Sequence, residues 1–388
     1  MDRFSAAERA LRTAAPHELL DAVRHALMKQ YAATTVDLLM ADYAMTILQP
    51  VAALPYTAEP VSVHNSAPGR AFGAQEPYVR TSDCPPSVSA HLPVTVRGDR
   101  LGVLSVTLPA DQGTPEALRE LGDIAEVLGH EIMVAERDTD LYVQARRAER
   151  LTLAAEMQWQ LLPGRSCSRP EYDLGAQLEP AYAIYGDNFD WSASANHLTL
   201  TVTNGMGEGI DAALLTNLTI NALRNARRAG LSLADQACLA DQALYGQHRG
   251  ALHLSALLLR FELSTGLVEV IDAGSPKIWR MRSGTFEPVE LEAQLPLGMF
   301  EDTLYTVQHL EVLPGDRLLF VSDGVYNVAS PQGERYIEKA LARAAMNTRL
   351  LPPSQVPRAI LQEVSGHRGP SRSADDAMVV CLDWHGRG

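Results

Sequence analysis

Four short turns, far apart in the chain, carry the side chains of this sequence best suited to chemistry. They are Gly186-Asp187-Asn188-Phe189-Asp190, Asn204-Gly205-Met206-Gly207-Glu208-Gly209, Ser322-Asp323-Gly324 and Asp375-Asp376. In each, a short apolar run of β character meets a carboxylate or a glycine turn. Oxygen donors presented from strand ends in this way suit hard divalent cations, which take carboxylates, backbone carbonyls and water. Singly, each turn says little: a Ser-Asp-Gly after a strand is most often only a turn, and an Asp-Asp pair most often a solvated loop. Their order along the chain is the stronger signal.

The elements that must hold these turns can be read from Leu174 onward. Alternation and β-branched content predict strands at 174–179, 197–203, 253–263, 267–273, 277–282, 317–322 and 377–384. Helical spacing predicts helices at 209–229, 232–247, 335–347 and 354–365. Many antiparallel strands with helices inserted in pairs predict a layered α+β domain. Gly205 follows Asn204 at the end of the strand Leu198-Thr199-Leu200-Thr201-Val202, where its carbonyl can face a metal. Asp323 ends Arg317-Leu318-Leu319-Phe320-Val321-Ser322, and Asp375 precedes the last strand, Ala377 to Trp384. The helix after the glycine-rich turn, with Ala212, Ala213, Leu215, Leu218, Ile220 and Leu223, reads as buried and amphipathic. Arg224, Arg227 and Arg228 lie toward its end, where cations complement the helix dipole.

These turns and their flanks resemble the metal-dependent protein phosphatases (PPM family, protein phosphatase type 2C) of the bacterial SpoIIE-like subgroup. The flanks are Gln160-Leu161-Leu162-Pro163, Glu179-Pro180-Ala181, Ala212-Ala213-Leu214-Leu215, Thr265-Gly266, Asp272-Ala273-Gly274-Ser275-Pro276, Pro296-Leu297-Gly298 and Pro314-Gly315-Asp316-Arg317-Leu318. The resemblance covers residues 150–385. It implies two packed antiparallel sheets flanked by helix pairs, and two Mn²⁺ or Mg²⁺ ions at the site. Such a pair, about 3.5–4 Å apart, lowers the large barrier to phosphate monoester hydrolysis by activating a water and neutralising phosphoryl oxygens. By the same resemblance Asp187 helps hold one metal and its waters, the Gly205 carbonyl binds that metal, and Asp323 and Asp375 hold the other. Asp190 and Asp376 either orient ligands and waters from behind or cap strands and helices. The three arginines could then face a phosphoprotein instead of only completing their helix.

Three positions depart from the family. Asn204 stands where a relative has the aspartate whose carboxylate bridges both ions; an amide has one acceptor oxygen and no charge. Ser275 replaces a common His, and Asn327 a common Glu. The first touches the metals directly and predicts weaker occupancy of at least one site. It leaves three readings open: activity with a rearranged ligand set, a pseudophosphatase that binds a partner without turnover, or conversion of Asn204 to aspartate by deamidation.

The chain has 388 residues, 46% hydrophobic and 21% charged, a length that favours two domains. A net charge of −14 argues against nucleic acid or anionic membrane as the main partner. The four cysteines, Cys84, Cys167, Cys238 and Cys381, form no Cys-x-x-Cys pair, so reduced thiols in a cytoplasmic protein are expected. No signal peptide or membrane span is expected. Residues 6–30 read as helical, and 36–40 and 44–48 as a strand pair about Ala41-Asp42-Tyr43. Residues 54–90 read as turns with short pieces. The strongest local signal is the hairpin of His91–Val96 and Leu101–Val106 about Arg97-Gly98-Asp99-Arg100. Together with Asn65-Ser66-Ala67-Pro68-Gly69-Arg70-Ala71-Phe72, this order resembles a GAF domain, which implies a small α+β sensor over 1–114. Residues 115–162 carry mixed charge and a three–four apolar spacing through Leu118, Leu121, Ala125, Leu128, Ile132, Ala135, Leu141, Ala145, Ala148, Leu151 and Ala155. They predict one long connecting helix, broken at most near Gly129. Its seam would pair two subunits as a homodimer or pack on its own domains.

The leading expectation is therefore a sensor-regulated protein serine/threonine phosphatase acting on a phosphorylated signalling protein, such as an anti-sigma-factor antagonist. Cys381 is the one cysteine near the turns in sequence, and it lies inside a strand, against a cysteine nucleophile. The alternative is the partner-binding pseudophosphatase that Asn204 suggests.

Overall fold

The computed structural model describes residues 2–51, 60–179, 185–274, 276–369 and 375–387. Ser275, the flank Pro180-Ala181 and residues 54–59 of the irregular stretch lie outside the described residues. The chain forms two compact units, Met1–Arg150 and Leu151–Gly388. Among the described residues, no helix is long and apolar enough to cross a membrane.

The first unit begins with α1 (Arg3–Thr13) and α2 (Leu19–Tyr31), which divide the single helix expected over 6–30. Pro16 is the cause: Ala15 before it is extended (φ −65°, ψ 149°), the conformation a following proline imposes. Then come β1 (Thr35–Ala41), β2 (Ile47–Pro50), β3 (Val61–Ser62), α3 (Ala67–Ala74), β4 (Tyr78–Asp83), β5 (Pro86–Val96) and β6 (Asp99–Pro109). They make one antiparallel sheet in the order β3-β2-β1-β6-β5-β4. The β5–β6 hairpin turns on Arg97 (φ 51°) and Gly98 (φ 90°); two left-handed residues in succession make the tight turn whose twist matches its strands. The β1–β2 turn is longer than the expected 41–43. Asp42, fully buried, accepts the backbone N–H groups of Ala44, Thr46 and Ile47 at 3.1, 2.6 and 2.9 Å, and so holds the chain in a wider loop.

The long helix expected over 115–162 does not form. The segment makes α4 (Pro115–Ala135), α5 (Leu141–Ala145) and α6 (Leu153–Leu161), and α4 runs unbroken through Gly129. The seam residues Leu121, Ala125, Leu128, Ile132 and Ala135 are buried in the core of the first unit beside Leu92, Val94 and Leu104. Burying that stripe against its own sheet removes it as a seam for a second copy. The unit boundary accordingly falls after Arg150, with α4 and α5 on one side and α6 on the other.

The second unit continues with β7 (Ser166–Arg169), β8 (Tyr172–Glu179), β9 (Asn188–Ala193), β10 (His197–Asn204), α7 (Gly209–Arg228), α8 (Leu233–His248), β11 (Ser255–Glu262) and β12 (Leu267–Ala273). It ends with β13 (Lys277–Arg282), β14 (Thr285–Pro288), β15 (Gln308–Glu311), β16 (Arg317–Val321), α9 (Asp323–Tyr326), α10 (Tyr336–Asn347), α11 (Val356–Arg368) and β17 (Ala377–Trp384). One sheet runs β15-β12-β11-β10-β9 and the other β14-β13-β16-β17-β8-β7. Their facing sides share one core: Phe189, Leu200, Val202, Leu257 and Phe261 from the first meet Leu174, Leu178, Leu318, Phe320, Val380 and Leu382 from the second. Alternate strand residues point outward. Leu258 and Ile271 lie under α7 and α8, and Leu319, Val321 and Cys381 under α10 and α11. Two antiparallel sheets between helix pairs is the layered architecture expected of this half.

Strands β7, β9, β14 and β15 were not foreseen. In β9 the buried polar residues Asn188 and Asp190 break the apolar alternation, and Asp190 meets the two arginines described below. Each fully buried large apolar side chain in the shared core contributes about 1.5–3 kcal/mol. Phe320, fully buried between the sheets, is central to it. Phe320→Ala is expected to lower the urea unfolding free energy by about 3–5 kcal/mol; a loss below about 1 kcal/mol would show that the sheets do not depend on this contact.

Candidate active site

Antiparallel pairing puts the start of β9 beside the end of β10, and the end of β16 beside the start of β17. The four turns therefore sit at strand ends, and they touch in a ring. A Cβ added at Gly205 would stand 2.5 Å from the Gly186 carbonyl oxygen, so the first and second turns meet backbone to backbone. Gly186 also has φ +107°, a conformation open to glycine. A Cβ at Gly324 would stand 1.6 Å from the Asp376 carbonyl oxygen, so the third and fourth turns meet the same way. Asn204 Nδ2 donates to Asp323 Oδ1 at 2.5 Å and joins the second turn to the third. Asp376 Oδ2 accepts from the backbone N–H groups of Tyr185 (2.9 Å) and Asp187 (3.2 Å) and joins the fourth to the first. The structure thus brings together Asp187, Asn204, Gly205, Asp323, Asp375 and Asp376.

Asp187 is 1% exposed, and neither carboxylate oxygen has a hydrogen-bond partner. Burial first, then the charge of Asp376, hold its carboxyl well above the usual carboxylate range, against the nearby Ser322 hydroxyl, which favours its charge without reaching full hydrogen-bond geometry. Burial likewise raises Asp376, against the two backbone N–H groups that favour its charge. Asp375 is pushed up to about 6 by burial and then by the charge of Asp323. Like charges crowded into low dielectric resist ionisation. Such a group is a standing demand for positive charge.

Asp190 stands apart from this cluster. It is 2% exposed; Oδ1 accepts from Arg224 at 2.7 Å and Oδ2 from Arg227 at 3.0 Å. Arg224 also donates to the Leu161 carbonyl of α6 at 2.7 Å. One carboxylate thereby clamps α7 and α6 onto β9. This ion-pair clamp is neither a cap nor a contact with the cluster, and it commits both arginines to structure. Arg228 is exposed. Asn327 caps α9, its N–H on the Asp323 carbonyl at 2.8 Å.

Two further residues shape the first turn and were not singled out in the sequence. Gln158 of α6, 2% exposed, donates to the Asp187 carbonyl. Thr216 of α7, also buried, donates to the Gly186 carbonyl at 2.8 Å. The available signal was a polar side chain on the apolar face of each helix.

Among the described residues, no group of three His, Cys, Asp or Glu side chains is arranged to hold a metal ion by itself. The donors present are nonetheless oxygens: two orphaned carboxylate atoms on Asp187, the Asp323 and Asp375 carboxylates, the Gly205 carbonyl and the Asn204 amide. That set fits a hard dication completed by water. Cys381 is fully buried, and burial pushes its thiol up, so it offers no thiolate.

Residues 194–385 match the family model described as Stage II sporulation protein E (SpoIIE). Protein IcfG of Synechocystis sp. is 21% identical over 262 residues, 58% of this chain and 40% of that protein. The phosphoserine phosphatase RsbU of Bacillus subtilis is 22% identical over 214 residues, 54% of this chain and 63% of RsbU. The chain spans less than two thirds of either relative. A solved structure of the PP2C phosphatase domain and a regulatory fragment of SpoIIE from Bacillus subtilis superposes with a TM-score of 0.50 at 19% identity, over 56% of this chain and 62% of that one. The second unit thus resembles the SpoIIE family over these residues and shares the fold of a PP2C phosphatase domain.

Removing the Asp190 carboxylate would leave two largely buried guanidinium groups without their partner. Asp190→Ala is expected to cost about 3 kcal/mol in chemical unfolding. An unchanged unfolding midpoint would remove its role as the clamp.

Proposed function

We propose that the chain is a divalent-cation-dependent protein serine/threonine phosphatase, Mn²⁺ or Mg²⁺ serving as the cation. The observation that carries this reading is the convergence of four remote turns on one group of crowded, largely buried carboxylates. Asp187, the Gly205 carbonyl and the Asn204 amide oxygen would hold a cation on one side, and Asp323 and Asp375 on the other. A cation bound there lowers the pKa of a coordinated water and neutralises phosphoryl oxygens. The protein's own part is positioning. Asp376 fixes the backbone of the first turn, Gln158 and Thr216 fix its carbonyls, and Gly186 and Gly324 allow the close approach.

The substrate class we assign is a phosphoserine or phosphothreonine protein in a signalling switch, such as an anti-sigma-factor antagonist. The phosphoserine phosphatase activity named for RsbU supports this reading. The first unit we assign as a GAF-like sensor. Its support is a six-stranded antiparallel sheet with α3 on one face and α1, α2 and α4 on the other.

The test is hydrolysis of p-nitrophenyl phosphate and of a phosphoserine peptide in millimolar Mn²⁺. The native chain is expected to be active, with Asp323→Ala slower by roughly 100-fold or more. Asn204→Asp, which restores a carboxylate, is expected to be faster than the native chain. Equal rates for the native chain and Asp323→Ala would overturn the enzyme reading in favour of a partner-binding domain.

A further inference from the structure

We infer that Asn204 limits this site to one tightly held cation, on the side of Asp187, and closes the Asp323 side with its own amide. This deepens the reading of the site as a cation centre and rests on it. An ionised carboxylate only accepts hydrogen bonds, so the group facing Asp323 Oδ1 at 2.5 Å is the amide nitrogen of Asn204. The amide oxygen therefore faces away from Asp323. A cation approaching Oδ1 from that direction meets an N–H donor carrying partial positive charge. Turning the amide over to offer its oxygen gives up a charge-assisted hydrogen bond, a strong class of contact, and sets oxygen against carboxylate.

Nothing comparable opposes a cation at Asp187. Both of its carboxylate oxygens are buried without a geometric hydrogen-bond partner, and the Ser322 hydroxyl beside them is neutral and able to rotate from donor to acceptor. The Gly205 carbonyl belongs to the residue after Asn204, and Gly205 packs on Gly186, the neighbour of Asp187. An aspartate at position 204 would present two oxygens, one to each side. An asparagine presents one oxygen and one donor. The difference between a one-cation and a two-cation site thus comes down to a single side-chain atom.

The experiment is a Mn²⁺ titration of the full chain, read by calorimetry and by electron paramagnetic resonance, neither of which needs turnover. The native chain is expected to bind close to one ion tightly, with the resolved hyperfine lines of an isolated Mn²⁺. Asn204→Asp is expected to bind two, with a spectrum broadened by coupling between neighbouring ions. The second ion should bind the native chain weaker by roughly 100-fold or more. Asp187→Asn should lose the tight ion, whereas Asp323→Asn should keep it. Two tight ions in the native chain, no tight ion at all, or loss of the ion in Asp323→Asn but not in Asp187→Asn would overturn the inference. The native stoichiometry stands without any variant, so a variant that fails to fold leaves the decisive reading intact. One bound ion without hydrolysis would sink the enzyme reading alone, and two bound ions with hydrolysis would sink this one alone.

Discussion

Buried like charge is the constraint on which the second unit is built. Asp187, Asp375 and Asp376 sit where desolvation and mutual repulsion raise the cost of ionisation. An unliganded fold would gain by dispersing them. Instead, the backbone contacts of Gly186 with Gly205 and of Gly324 with Asp376 press them together. No side chain larger than hydrogen is compatible with that approach at Gly205 or Gly324. The cost is tolerable because the surrounding scaffold is rigid. Two sheets share a packed core, and each outer face is covered by a helix pair.

Polar groups around the site divide into those that hold the frame and those that face inward. Asp190 has both oxygens engaged by arginines and ties α6 and α7 to the edge strand β9. Arg317 does similar work on the other sheet, pairing with Asp383 and donating to the Thr348 and Leu351 carbonyls, which fixes the α10–α11 connection. Asp376 spends one oxygen on two backbone donors. Asp187, with neither oxygen engaged, is the inward-facing contrast. The distinction between a satisfied buried carboxylate and an orphaned one separates structure from chemistry here.

Much of this was legible in the sequence. The four turns were placed by strand ends and by glycines, and both features are local. The strands at 267–273, 277–282 and 377–384 follow apolar runs that need no tertiary knowledge. Strand β9 was not legible, because Asn188 and Asp190 look like loop residues, and only the fold brings Arg224 and Arg227 over Asp190. The helix over 115–162 failed for a related reason. Its seam was correctly apolar, but periodicity does not say which surface a seam covers, and here that surface is its own sheet. Asn204 was visible as a missing charge. Its direction was not, since only the fold brings Asp323 close enough to decide which end of the amide faces the cluster.

The central claim, that this carboxylate cluster is built for a dication, is tested most directly by thermal unfolding of the full chain with and without added Mn²⁺ at matched ionic strength. Saturating Mn²⁺, at about a hundred times its dissociation constant, should raise the transition of the second unit by roughly 5–10 °C, while sodium chloride of the same ionic strength should not. A transition that Mn²⁺ leaves in place, or moves no further than sodium chloride does, would contradict the account.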